Sequence, residues 1–137
     1  MAFEHGSGAH FSVDNSAGTL TNISAYITSV DGLPGTVDSH DTTTYGDSAH
    51  EKSAGLKDVA FTVQGIYDTT ADAVLAGILG LVGTYSYGPQ GSTAADIRYY
   101  GEALLVSYGL SDPVAGMVTW TARFEGVGAC IRGTFPV

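Results

Sequence analysis

The segment Val114-Ala-Gly-Met-Val-Thr-Trp-Thr-Ala-Arg-Phe-Glu-Gly-Val127 decides the fold, because much of it alternates between apolar and polar side chains. Strict alternation is typical of a half-buried β-strand, in which successive side chains point to opposite faces of the sheet. The buried face is predicted to carry Val118, Trp120, Ala122 and Phe124. The segment therefore predicts a long strand with one face on a core.

A second alternating run, residues 96–109, precedes this strand, and a Ser-Asp-Pro break at 111–113 separates the two. Two such runs joined by a short turn segment predict a β-hairpin, which a glycine-flanked tail at 126–135 follows. In the earlier run both faces carry large residues: Ile97, Tyr99, Ala103 and Leu105 on one, and Arg98, Tyr100, Glu102, Leu104 and Tyr108 on the other. We expect the core to cover one face and a neighbouring subunit to cover the other.

The rest of the chain predicts further strands and one helix. Alternation predicts strands at 10–14, 20–30 and 56–68, with Gly65 marking a bulge or a close backbone approach. Residues 70–82 predict an amphipathic helix that Thr69 or Thr70 caps, and residues 85–91 predict a turn-rich connector. The apolar side of the helix is predicted to hold Val74, Leu75, Ile78, Leu79 and Val82. The fold class is therefore mainly β, a small sandwich or barrel with one flanking α-helix, in a single domain over 1–137.

Residues 31–54 break this pattern and predict a long polar loop, since they contain several glycines and acids but no periodicity. Loops longer than about 12–15 residues in a small domain are usually functional or disordered. One interpretation is a solvated, mobile excursion. The other is an arm that reaches a neighbouring subunit and becomes ordered on contact. Its candidate contact residues are Asp31, Asp38, Asp41, Tyr45, Asp47 and Glu51.

The composition narrows the function classes. Only 14% of the residues are charged, so much of the surface is uncharged, as in surfaces that partner subunits cover. The net charge of -9 argues against a protein that grips nucleic acid, because such grip needs clustered Lys and Arg. The N-terminal residues show no secretion signal, and no apolar stretch is long enough to span a bilayer. We therefore expect synthesis in the cytoplasm and no membrane partner.

Candidate catalytic and metal-binding residues are few, so we expect no enzyme activity, no cofactor and no metal. No nucleophile elbow is present, and Cys130 lies among Gly, Ala and Ile without a nearby base. The pairs His40-Asp41 and His50-Glu51 leave open a divalent cation site in the polar loop. The carboxylates of Glu102 and Glu125 are explained best as members of a cross-strand ion-pair ladder with Arg98 and Arg123.

Three segments carry a resemblance to the major tail tube proteins of long-tailed, siphovirus-type bacteriophages. The first is Asp14-Asn-Ser-Ala-Gly-Thr-Leu-Thr-Asn-Ile-Ser-Ala-Tyr26. The second is Gly55-Leu-Lys-Asp-Val-Ala-Phe-Thr-Val-Gln-Gly-Ile-Tyr67, which follows a long polar loop and precedes a short helix. The third is the hairpin and tail from Pro113 to Phe135. Together the segments extend the resemblance over nearly the whole chain.

The resemblance implies a virion structural protein that assembles into hexameric rings, which stack into the conduit for DNA ejection. It also implies contacts with a tape-measure protein and with tail terminator and distal tail proteins. The loop 31–54 would contact the next ring, and DNA would pass the lumen without specific binding. Negative charge in the lumen suits such passage, which makes Glu102 and Glu125 candidate lumen residues.

Other functions stay open at this stage. One is a monomeric ligand-binding β-barrel, whose cavity Tyr99, Tyr108 and Trp120 would line. A second is a hydrolase that uses the residues between His40 and Glu51. A third is the tube subunit of a contractile injection system, because the sequence does not separate it from a siphophage tube.

Overall fold

The computed structural model describes residues 8–33, 35–46 and 48–135. Within these residues, seven strands pair antiparallel in one sheet and two further strands form a separate ribbon. The order across the large sheet is β2-β1-β7-β8-β9-β6-β3, and the ribbon pairs β4 with β5. The elements are β1 His10–Asp14, β2 Leu20–Asn22, β3 Ile27–Asp31, β4 Thr36–Asp41, β5 Lys52–Asp58, β6 Ala60–Ile66, α1 Thr69–Ile78, β7 Val82–Gly88, β8 Ile97–Ser111 and β9 Thr119–Thr134.

The large sheet rolls up around one core, which confirms the predicted mainly β fold with a flanking helix. Phe61 of β6 stacks on Phe124 of β9, with ring centroids 4.8 Å apart. Phe11 of β1 lies 6.1 Å from Phe61, although three strands separate β1 from β6 in the sheet order. Contacts between strands so far apart require strong curvature, as in a rolled sheet or barrel.

The predicted hairpin forms, and its strands are the longest in the described chain. β8 and β9 pair from Ser111 opposite Thr119 to Ile97 opposite Thr134, so the glycine-flanked tail continues β9 as strand up to Thr134. A bulge at Val106 interrupts the register between Leu105 and Ser107. Because a bulge shifts the alternation by one residue, Tyr108 turns to the core side and not, as predicted, to the opposite face.

The helix is shorter than predicted and begins one residue earlier. Asp68, and not Thr69 or Thr70, caps it, since an Asp68 carboxylate oxygen accepts a hydrogen bond from the Thr70 amide at 2.8 Å. The helix ends at Ile78, and Gly80 turns the chain with a φ of +84°. Val74, Leu75 and Ile78 face the core as predicted, whereas Leu79 and Val82 are about half exposed. No helix in the described ranges is long and apolar enough to cross a membrane.

The predicted connector at 85–91 is wrong, because most of it belongs to β7, a strand between β1 and β8. Tyr85 is buried on the core side and Ser86 is buried on the other face. A strand covered on both faces shows no alternation of polar and apolar residues, and Gly, Ser and Pro in this stretch mimic a turn.

Two other predicted strands divide in the structure. The strand predicted at 20–30 splits into β2, a short 3-10 helix at Ser24–Tyr26 and β3. The strand predicted at 56–68 splits at Val59 into β5 of the ribbon and β6 of the large sheet. The Val59 carbonyl accepts a hydrogen bond of 2.5 Å from the Gly126 amide, which fixes the junction to β9.

Gly65 marks a close backbone approach, as predicted, and lies opposite an irregularity of β3 between Ile27 and Ser29. A Cβ atom here would overlap the Tyr26 carbonyl oxygen, which belongs to the backbone, and the indole of the buried Trp120. We expect Gly65→Ala to lower the free energy of unfolding by ~1–3 kcal/mol, measured by urea denaturation. Gly109→Ala is the matched control, because nothing lies within 4 Å of its Cβ position. Equal stabilities of the two variants would contradict the steric argument.

Candidate functional site

The first candidate surface is the arm, which we define as residues 36–58, the β4–β5 ribbon and its connection. The structure shows a hairpin where the sequence predicts a loop without regular structure. All six side chains of β4 are exposed, and only Gly55 of β5 is partly buried. A strand with both faces in water carries polar residues on both, so it has no period to detect. A two-stranded ribbon is also only marginally stable by itself, which favours an arm that other chains cover.

Polar contacts hold the described part of the arm tip in one conformation. The Thr42 amide donates to the Glu51 carbonyl at 2.8 Å, and the Glu51 amide donates to Thr43 Oγ1 at 2.8 Å. The Thr43 amide also donates to Asp41 Oδ1 at 2.9 Å. Hydrogen bonds from the Thr43 hydroxyl and amide hold the pKa of the Asp41 carboxyl below its usual value, with a smaller effect from His50. The arm tip therefore presents the negative charge of Asp41.

The structure brings four of the six predicted loop residues together on the arm: Asp38, Asp41, Tyr45 and Glu51. Tyr45 is fully exposed at the arm tip. Asp31 does not belong to the arm, because it ends β3 opposite Thr62 in the large sheet. Asp47 lies outside the described residues. The arm thus carries a surface of acids and one exposed aromatic ring.

The arm shows little of the geometry that a metal site needs. His50 Nδ1 lies 3.6 Å from Asp41 Oδ2, while the His40 ring lies against Gly55 on the paired strand. Within 8–33, 35–46 and 48–135, no three His, Cys, Asp or Glu side chains come close enough to hold an ion. The contacts therefore give the cation and hydrolase alternatives no support.

The second candidate surface is the outer face, which is the side of the neighbouring strands β7, β8, β9 and β6 that points away from the core. Glu102 and Glu125 are both exposed on it. Glu102 lies opposite Val127 and Glu125 lies opposite Leu104, so the two carboxylates are diagonal neighbours on adjacent strands. They were predicted on this face, and the structure places them there.

The predicted ion-pair ladder around these acids is wrong. The only ion pair in the described part of the chain is the one between His50 and Asp41. Arg98 Nε donates to Ser86 Oγ at 2.8 Å, and its guanidinium stacks over Tyr100 at 4.4 Å, which directs it away from Glu102. Arg123 lies opposite Thr62 and Ser107. The two glutamates therefore make no ion pair within the described residues, although the exposed Arg123 lies two residues from Glu125 on the same face.

A cluster of His10, Arg98 and Phe135 covers one end of the outer face, and the sequence did not predict it. The His10 ring packs edge-on against Phe135 at 5.5 Å and its Nε2 lies 2.6 Å from Ser12 Oγ. Ser12 and Ser86 are buried beneath this cluster. Burial and the neighbouring Arg98 charge lower the pKa of His10. Only the alternation around Arg98 hinted that this face is covered.

The three aromatic residues of the ligand-binding alternative do not share a cavity. Trp120 is 1% exposed, and its Nε1 donates to the Ile66 carbonyl at 3.1 Å. The Tyr108 hydroxyl donates to the Asp72 carboxylate at 2.8 Å; burial and this bond raise the pKa of Tyr108. Tyr99 instead lines an open groove at the base of the arm. Trp120 and Tyr108 therefore stabilise the core, and the three rings share no pocket.

Comparison with solved structures identifies the fold as that of tail tube proteins. The chain matches a protein in the tail of an empty gene transfer agent particle, refined with C6 symmetry, with a TM-score of 0.74 over 96% of this chain and 99% of that one, at 12% identity. It matches the SPP1 tail tube with a TM-score of 0.69 over 98% and 81%, at 13% identity.

A third match is to the sheath-tube complex of an extracellular contractile injection system, PVC, in its extended state. Its TM-score is 0.63 over 92% of this chain and 88% of that chain, at 13% identity. No protein-family model and no curated protein sequence matches the chain. At such low identities the likeness lies in the fold.

Proposed function

We propose that the chain is a structural subunit of a virion tail tube, which assembles with copies of itself into rings that stack around a hollow lumen. The observation that carries this proposal is the tail tube fold over nearly the whole chain. The exposed arm supports it, because a two-stranded ribbon is marginally stable by itself and gains stability when another chain covers it.

The physics of the surface agrees with repeated self-association. Rings that stack into an open tube need heterologous contacts, in which two different surfaces of the same kind of subunit meet. A subunit of such a tube therefore has several covered surfaces, and covered surfaces are depleted in charged residues. The low charged fraction of the chain, 14%, fits this requirement.

Six subunits per ring is the number we propose, since one matched particle tail has C6 symmetry. The matched contractile injection system supports a second candidate function, the tube of a contractile particle. In either particle the subunit would be made in the host cytoplasm. We further propose a tape-measure protein inside the growing tube, and terminator and distal tail proteins at its ends.

We assign the contact between rings to the arm, with Asp38, Asp41, Tyr45 and Glu51 as its described contact residues. The exposed ring of Tyr45 suits an interface, where aromatic residues are enriched. We keep Asp31 as a contact residue at the end of β3, next to the arm, and Asp47 as one outside the described residues.

We assign Glu102 and Glu125 to the lumen, where their negative charge keeps DNA from adhering to the wall. The double variant Glu102→Lys and Glu125→Lys should still form tubes, because neither side chain belongs to the core. These tubes should retain short duplex DNA at low salt and release it as salt rises, since lysine contacts with phosphate are salt-dependent. Co-sedimentation of labelled DNA with the tubes measures this. Absence of retention by intact variant tubes would refute the lumen assignment.

Sedimentation velocity over a wide concentration range tests the proposed function. We expect the purified protein to form rings and heavier stacks as concentration rises. A single monomeric species at every concentration, without assembly in any salt or pH, would contradict the proposal and favour a monomeric role.

A further inference from the structure

The two ends of the β8–β9 hairpin carry different unpartnered surfaces. We define the tip as residues 110–118, where the hairpin turns, and the groove as the cleft at the base of the arm. In the tip Val114 is fully exposed, and Met117 and Leu110 are 66% and 54% exposed. Three large exposed apolar side chains within nine residues are unusual on a free surface. The tip therefore resembles a surface that a partner covers.

The groove has a volume of about 390 Å³ and contains apolar surface at its floor. Val59 is buried there, and the partly buried Tyr99 and Cys130 form one wall. The arm contributes Val37, which is half exposed. The groove thus offers apolar contacts to a side chain that enters from outside.

The charges of the two surfaces are complementary. Lys57 and Arg132 line the groove beside a single acid, Asp58, which gives it a net positive charge in a chain whose net charge is -9. The tip has one charged residue, the exposed Asp112. Opposite charges at an interface steer association and fix its register.

A chain cannot place its own tip in its own groove. The tip adjoins Thr119 and the groove includes Arg132, and these residues are 13 positions apart in β9. At about 3.3 Å per residue, the separation along the strand is roughly 40 Å. Only a second copy can therefore bring a tip to this groove.

We infer that the tip of one copy docks in the groove of a copy in the next ring, with Asp112 facing Arg132 and Val114 entering the cleft. This inference rests on the proposed function, since the two surfaces lie at opposite ends of the sheet and head-to-tail docking that does not close into a ring produces an open stack. The groove adjoins the arm, so the arm and the tip form one continuous contact between rings.

Charge exchange tests the pairing. Asp112→Lys alone and Arg132→Glu alone should each shorten tubes by about tenfold or more, seen in electron micrographs, because each change places like charges together. The double variant should restore most of the length. Arg123→Glu, in the same strand but outside both surfaces, is the matched control and should leave the length unchanged. Circular dichroism checks that every variant folds.

A disulfide between copies gives a second readout. Cys130 is the only cysteine, so Val114→Cys places a second thiol that meets it only if the tip docks in the groove. Oxidised tubes should then give a ladder of linked chains, and adding Cys130→Ser should abolish it. Single charge variants with normal tubes, or no ladder from intact tubes, would overturn the docking. Failure of the wild type to assemble would instead overturn the proposed function.

Discussion

A chain without the arm should fold normally and form no long tubes. The variant removes residues 38–56 and joins Val37 to Lys57 through an Asn-Gly turn, which suits a two-residue hairpin. The sheet keeps its core, since none of the core side chains lies in the removed segment, and the bond from Gly126 to Val59 remains. We therefore expect the free energy of unfolding to change by less than about 1 kcal/mol. Electron micrographs should show rings or short stacks only.

Mixing the armless chain with wild-type protein separates loss of assembly from loss of folding. An armless subunit that still enters rings should end the stack at that ring, so a small fraction should shorten wild-type tubes. Tubes of normal length from the armless chain alone would contradict the role of the arm. An armless chain that does not fold would contradict the claim that the arm lies outside the core.

Replacing Trp120 should cause the largest loss of stability. Its side chain is 1% exposed, packs 6.2 Å from the Tyr108 ring and donates a hydrogen bond to the Ile66 carbonyl. Trp120→Ala leaves a cavity and an unpaired carbonyl, which together should lower the free energy of unfolding by ~3–5 kcal/mol. This is a large part of the total for a typical domain, about 5–15 kcal/mol.

The matched control for Trp120→Ala is Thr121→Ala, one residue along the same strand. Thr121 is exposed and lies between Gln64 and Gly109, so its loss should change stability by less than about 1 kcal/mol. Urea denaturation followed by far-ultraviolet circular dichroism measures both variants. A loss below about 1 kcal/mol for Trp120→Ala would show that this end of the sheet does not depend on the indole.

The elements that the sequence predicted well are those with one face buried and one face in water. β9 alternates because Trp120, Ala122 and Phe124 face the core while Thr121 and Arg123 are exposed. β7 and β4 were missed for opposite reasons. Tyr85 and Ser86 of β7 are buried on opposite faces, whereas both faces of β4 are exposed, and in neither case does burial impose a period of two.

The candidate surfaces were predictable in position but not in geometry. The polar composition of residues 31–54 marks an excursion from the sheet, yet nothing in it separates a loop from a ribbon that is exposed on both sides. Glu102 and Glu125 were placed on the correct face by simple alternation. The ladder with Arg98 failed because Ser86 and Phe135, both distant in sequence, hold that guanidinium together with the neighbouring Tyr100.

Cryo-electron microscopy of the purified, concentrated protein tests the central claim most directly. We expect a hollow stack of rings with six subunits each, in which every arm lies against the next ring. A folded chain that stays solitary on the grid and in its native particle, with its arm in solvent, would contradict the account.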